Sequence, residues 1–118
     1  MILEFDHVQI LIPAGRLDEA LAFYVEVLGF ARIPKPAELP QDGAWLKQGQ
    51  ANLHLSEEEN FKPASRAHPA FRVDNFQALM RIAGQKGLKT RVDSGPADFQ
   101  RGSVFDPFGN RIELIQKI

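Results

Sequence analysis

Gly102-Ser103-Val104-Phe105 followed by Ile112-Glu113-Leu114 reads as strand, turn and strand, and the chain has the same order once before. Gly43-Ala44-Trp45-Leu46 precedes Leu53-His54-Leu55, each residue 59 positions ahead of its counterpart. Outward from these hairpins the correspondence continues. Ala20-Leu21 with Gly29 matches Ala78-Leu79 with Gly87 at an offset of 58, and His7 matches His68 at 61. Two copies are too few for a solenoid but suffice for one pseudo-symmetric domain. The expected division is a first unit over 1–58, a polar linker over 57–67 containing Pro63, and a second unit over 68–118.

Each unit reads as strand, helix and three strands, an α+β arrangement. Residues 5–12 are apolar and β-branched, and Pro13 closes the run. Leu17, Ala20, Leu21, Tyr24, Val27 and Leu28 recur at helical spacing up to Gly29, which is expected to cap the helix. Strands are expected over 30–33, 43–48 and 51–56. In the second unit a strand over 69–73 leads to a helix capped by Asp74 or Asn75, with Phe76, Leu79, Met80 and Ala83 as its apolar stripe. Its last strands are expected over 88–93, 101–105 and 111–116.

Strand alternation then sorts the polar residues. Val8, Ile10 and Ile12, Leu53 and Leu55, Phe71 and Val73, and Ile112 and Leu114 form the faces expected to meet the helices. His7 and Gln9, Asn52 and His54, His68 and Arg72, and Arg111 and Glu113 point the other way. All three histidines of the chain, with Glu113, thus fall on equivalent helix-distal positions. Three imidazoles and a carboxylate are the composition of a nitrogen and oxygen metal site, and such groups are costly to bury unpaired.

Composition narrows the function classes. The 118 residues are 44% hydrophobic and 25% charged, which suits one globular domain. Absence of cysteine removes disulfide scaffolds, zinc ribbons, iron–sulfur clusters and thiol nucleophiles. Fourteen basic against fifteen acidic residues give a net charge of −1, with no electrostatic footprint for nucleic acid or an anionic membrane. Glu4, Asp6 and His7 interrupt the apolar start, so no signal peptide is expected. No apolar run approaches the roughly 20 residues that span a bilayer. A cytoplasmic location is the expectation.

Several stretches resemble the vicinal oxygen chelate superfamily of glyoxalase I, bleomycin- and fosfomycin-resistance proteins, methylmalonyl-CoA epimerase and extradiol dioxygenases. They are Asp6-His7-Val8, Ala22-Phe23-Tyr24 through Leu28-Gly29-Phe30, Leu53-His54-Leu55, Ala67-His68-Pro69-Ala70-Phe71, and Asp106-Pro107-Phe108-Gly109-Asn110-Arg111-Ile112-Glu113-Leu114. The resemblance implies two βαβββ modules forming a pseudo-symmetric curved sheet around a metal cavity. It implies His7, His54, His68 and Glu113 as ligands to one divalent ion of zinc, nickel, cobalt, iron or manganese, with Glu113 also the proton-transferring group. Glyoxalase I usually carries Glu where this chain has His54. Gln9, Asn52, Arg72, Arg101, Ser103 and Phe105 are expected to line the cavity around a small substrate. Arg72 and Arg101 suit a carboxylate or phosphate.

The leading expectation is a glyoxalase-like metalloenzyme of isomerase or lyase type, with glutathione as one candidate co-substrate. A metal-dependent dioxygenase and a fosfomycin-type transferase are the alternatives within the enzymes. A small-molecule binding protein of the bleomycin-resistance kind is the alternative outside them. A homodimer is expected, since single-domain members of this superfamily usually pair and two-fold symmetry is the commonest closed assembly. A shared site would then take His7 and His54 from one chain and His68 and Glu113 from the other.

Overall fold

The computed structural model describes residues 1–118 and contains two four-stranded mixed sheets, one per repeat. The first comprises β1 (Val8–Pro13), β2 (Ala31–Ile33), β3 (Ala44–Gln48) and β4 (Ala51–Glu58), in the order β1-β4-β3-β2. The second comprises β5 (Ala70–Arg72), β6 (Thr90–Asp93), β7 (Phe99–Phe105) and β8 (Arg111–Lys117), in the order β5-β8-β7-β6. In each, the first strand runs parallel to the fourth and the other pairings are antiparallel. Helix α1 (Leu17–Leu21) connects β1 to β2, and α2 (Phe76–Gln85) connects β5 to β6. The parallel pairs β1–β4 and β5–β8 are therefore joined through a helix and two intervening strands, a connection long enough for the crossover that parallel strands need.

The faces sort as alternation dictates. Ile10, Ile12, Leu53, Leu55, Val104, Ile112 and Leu114 are buried and, with Phe23, Tyr24, Phe76 and Ala83, form one core cluster across both repeats. Asn75 is the cap of α2, its side chain accepting from Ala78 N at 3.1 Å.

Three features depart from the sequence expectation. After Leu21 the first helix widens into a π-helical segment, Ala22–Val27, in which Leu28 N donates to Phe23 O. The wider turn admits the adjacent Phe23 and Tyr24 to the core together, their rings edge to face at 4.7 Å. Next, β1 begins only at Val8. Residues 1–7 have no regular structure, and Met1, Ile2, Leu3 and Phe5 are largely exposed. Lastly, β4 extends through Glu58 into the expected linker. Glu57 accepts from Gly15 N at 2.7 Å and Gly43 N at 2.9 Å. These two N–H groups hold its carboxyl below the usual range. Gly43 itself has φ +66°, and a Cβ there would lie 2.1 Å from Leu55 O, so no other residue fits.

The repeats meet at a buried carboxylate. Asp106 Oδ2 accepts from the Tyr24 hydroxyl at 2.7 Å and from Asn110 Nδ2 at 2.8 Å, while Oδ1 accepts from the backbone of Phe108 and Asn110. Asn110 Nδ2 also donates to Leu11 O on β1. Burial, reinforced by Asp106, pushes the Tyr24 hydroxyl well above its ordinary pKa, so it remains a donor.

Candidate functional site

Strand pairing fixes which polar side chains share the helix-distal face. In the first sheet His54 lies opposite Gln9 on β1 and Trp45 on β3. In the second Glu113 lies opposite Ala70 on β5 and Ser103 on β7. The two hairpins differ in loop length, so β3 and β7 correspond at an offset of 58 and β4 and β8 at 59. His7, His54 and Trp45 therefore correspond to His68, Glu113 and Ser103.

The first face carries a stack of rings. Trp45 lies on His54 with centroids 4.2 Å apart and planes at 4°, and His54 lies on His7 at 3.9 Å and 19°. His7 Nδ1 donates to Asp6 Oδ2 at 2.8 Å, leaving Nε2 of the neutral ring free to bind. Asn52 Nδ2 holds the Asp6 carbonyl at 3.2 Å, which makes this expected cavity residue a support for the segment that carries His7. Burial, followed by neighbouring His7 and against a pull from Asp6, lowers the His54 pKa. A cleft of about 400 Å³ opens here, bordered by Asp6, His7, Gln9, Lys35, Trp45 and His54.

The second face is ionic. His68 Nε2 lies 2.8 Å from Glu113 Oε1, and His68 Nδ1 donates to Arg66 O at 2.7 Å. Each ring nitrogen of His68 thus faces an oxygen, the Arg66 carbonyl at Nδ1 and the Glu113 carboxyl at Nε2. Glu113 is buried, and Arg101 Nε donates to its Oε2 at 3.4 Å. Arg111 Nη2 lies 3.7 Å from Glu113 Oε1 and 3.5 Å from Asp93 Oδ2. Arg91 pairs with the other Asp93 oxygen at 2.9 Å.

This geometry redefines several expected roles. Ser103 has the expected parity but is fully buried and accepts from Arg111 Nε at 2.8 Å, so it carries Arg111 and does not line open space. Arg101 is committed to Glu113 and to Ser94 O at 3.2 Å. Phe105 is half-buried beneath the Lys89 ammonium, 4.5 Å from the ring centroid. Gln9 and Arg72 are exposed. Gln9 also borders, with His68 and Arg111, a cleft of about 780 Å³ that reaches from β1 to β5. Asp6, Trp45, Asp93 and Arg111 were not among the expected site residues. The alternation pattern puts Trp45 and Arg111 on this face but does not reveal their partners.

The four expected ligands divide into two pairs, His7 with His54 and His68 with Glu113, and within one chain no three His, Asp or Glu side chains come together as a metal-holding group. The donors of the second pair suit a divalent ion, which His68 Nε2 and the Glu113 carboxylate would hold. The first pair suits it through one ring only. A metal about 2.1 Å from an imidazole nitrogen lies near the plane of that ring. Two nearly parallel rings 3.9 Å apart do not share such a point.

Comparison with known proteins gives the same architecture. A glyoxalase family protein from Bacillus anthracis is 42% identical and superposes with a TM-score of 0.91 over 100% of this chain and 98% of that one. A genomically encoded fosfomycin resistance protein from Listeria monocytogenes shares the fold, with a TM-score of 0.81 at 12% identity over 100% of this chain and 96% of that one. Glyoxylase I 4 of Arabidopsis thaliana is 28% identical over 120 residues, 92% of this chain and 68% of the plant protein. Residues 4–114 match the model of one family from the first strand to the last, and the chain belongs to the Glyoxalase/Bleomycin resistance protein/Dioxygenase superfamily.

Proposed function

We propose that the protein is a homodimeric, metal-dependent enzyme acting on a small molecule with two adjacent oxygens. Each site takes His7 from one subunit and His68 and Glu113 from the other. The observation that carries this reading is the division of the donors. Each pair occupies the helix-distal face of its own sheet, and no group of three forms within one chain. A second subunit supplies the missing half. The apolar residues Met1, Ile2, Leu3 and Phe5 immediately precede His7, so a partner that covers His7 also covers them.

A divalent ion bound there supplies Lewis acidity to the substrate oxygens. The protein supplies orientation and proton transfer. Asp6 fixes the tautomer of His7 and the Arg66 carbonyl fixes that of His68. In this reading Glu113 accepts a substrate proton and returns it, with Arg101 Nε donating to its Oε2. Arg101 and Arg111 hold the Glu113 carboxyl in place from either side.

Subunit mixing tests the shared site. A His7→Ala chain and a His68→Ala,Glu113→Gln chain are each expected to lose stoichiometric metal, and their heterodimer to recover one intact site. Elemental analysis after verified exchange reads the result and identifies the metal. No recovery overturns the shared site. Turnover screened on glutathione adducts of 2-oxo aldehydes, on catechols and on fosfomycin separates the enzyme classes. Metal-independent ligand binding without turnover would favour a binding protein.

A further inference from the structure

We infer that Trp45 and His54 are positioning residues for His7: they form a stacked support that fixes the plane of its ring, and His54 is not itself a ligand to the ion. The inference rests on the metal reading above and concerns which residues of the first sheet serve it.

Three observations converge. Trp45 and His54 are directly paired across β3 and β4, which holds the two rings in register. Their planes differ by only 4° at 4.2 Å, and His7 continues the stack on the opposite face of His54 at 3.9 Å. The His54 ring is therefore covered on both faces. An ion in the His7 plane stands well out of the His54 plane, where the imidazole lone pair does not reach. The second sheet shows the contrast. At the equivalent positions His68 and Glu113 meet atom to atom at 2.8 Å, the geometry of two groups that can share one cation. In the first sheet the same pair meets face to face. His7 is thus restrained twice, about its ring axis by Asp6 at Nδ1 and in its plane by the stack, and both restraints leave Nε2 open.

The substitution that decides this keeps the ring and removes its nitrogens. In cobalt(II) titrations of the full-length protein, His54→Phe is expected to retain one ion per site with near wild-type affinity. His54→Ala and Trp45→Ala, which break the stack, are expected to weaken binding about 10–100-fold, the usual effect of losing an outer support of a metal ligand. If His54→Phe binds as weakly as His54→Ala, His54 is a ligand and the inference fails. It fails equally if neither alanine variant weakens binding. A wild-type protein that binds no cobalt overturns the metal reading instead. The stack is then judged on its own by proton NMR, where His7 ring resonances should be displaced by the neighbouring rings in wild type and His54→Phe but not in His54→Ala. A wild-type spectrum without that displacement overturns the support role.

Discussion

The two sheets have the same topology but opposite chemistry at equivalent points. Trp45, His54 and His7 in the first correspond to Ser103, Glu113 and His68 in the second. Flat rings stack in one. A hydroxyl, a carboxylate and two guanidinium groups interlock in the other. Outside the site the correspondence persists with a milder change. Glu57 and Gln116 hold equivalent positions on β4 and β8, and each ties down the start of its helical connection. Glu57 accepts from Gly15 N, and Gln116 Oε1 accepts from Phe76 N at 2.7 Å. A repeated backbone dictates where side chains point, not what bonds them. Each copy is free to diverge in the helix-distal half while its helix-facing half stays bound by packing.

The largest test of this contrast is Glu113→Ala against His54→Ala, both measured by urea unfolding with chelator present so that metal binding does not contribute. Removing Glu113 leaves His68, Arg101 and Arg111 without their shared anion. The loss should be about 2–3 kcal/mol, below the roughly 3–5 kcal/mol of a fully buried pair because the partners are partly solvated. His54→Ala should cost about 0.5–1.5 kcal/mol, the scale of an aromatic contact. Equal losses would break the comparison. Ser103→Ala comes next, at about 1–2 kcal/mol, because the buried side of Arg111 loses its acceptor. A neutral result would mean that water replaces the hydroxyl. The smallest effect distinguishes the two clasps by pH. The folded-state pKa of Glu57 is depressed below its ordinary 4.5. The unfolded chain therefore takes up this proton first, and the stability Glu57 contributes is full above about 4.5 and declines as pH falls through the folded value. Thermal midpoints should separate wild type from Glu57→Gln at pH 7 and converge near pH 3. Gln116→Ala should show a gap that does not change with pH.

Much of this was legible in the sequence because strands alternate. Leu53, Leu55, Ile112 and Leu114 fall on the core side, and His54 and Glu113 on the other, by parity alone. The repeat spacing likewise yields both βαβββ units. The remainder depends on interactions with no local signature. Helical periodicity over Leu17–Leu28 does not register a single widened turn, which the packing of Phe23 and Tyr24 selects. A uniform offset of 59 aligns Trp45 with Val104. Only the hairpin registers show that its counterpart is Ser103. Parity placed Ser103 on the correct face but not beneath Arg111. Nor does parity say whether two equivalent faces converge within one chain, since that depends on how the sheets are joined.

Tyr24 and Asp106 stand 82 positions apart, and their bond crosses between the repeats. Its consequence is cooperativity. If one repeat melted alone, the other would expose part of the common core and lose either the acceptor of a buried phenol or a donor to a buried carboxylate. A half-folded chain is therefore disfavoured by both terms at once. Two copies of one unit, each with its own sheet, should unfold in a single two-state transition whose midpoint is the same by fluorescence of the one tryptophan, in the first repeat, and by any probe placed in the second.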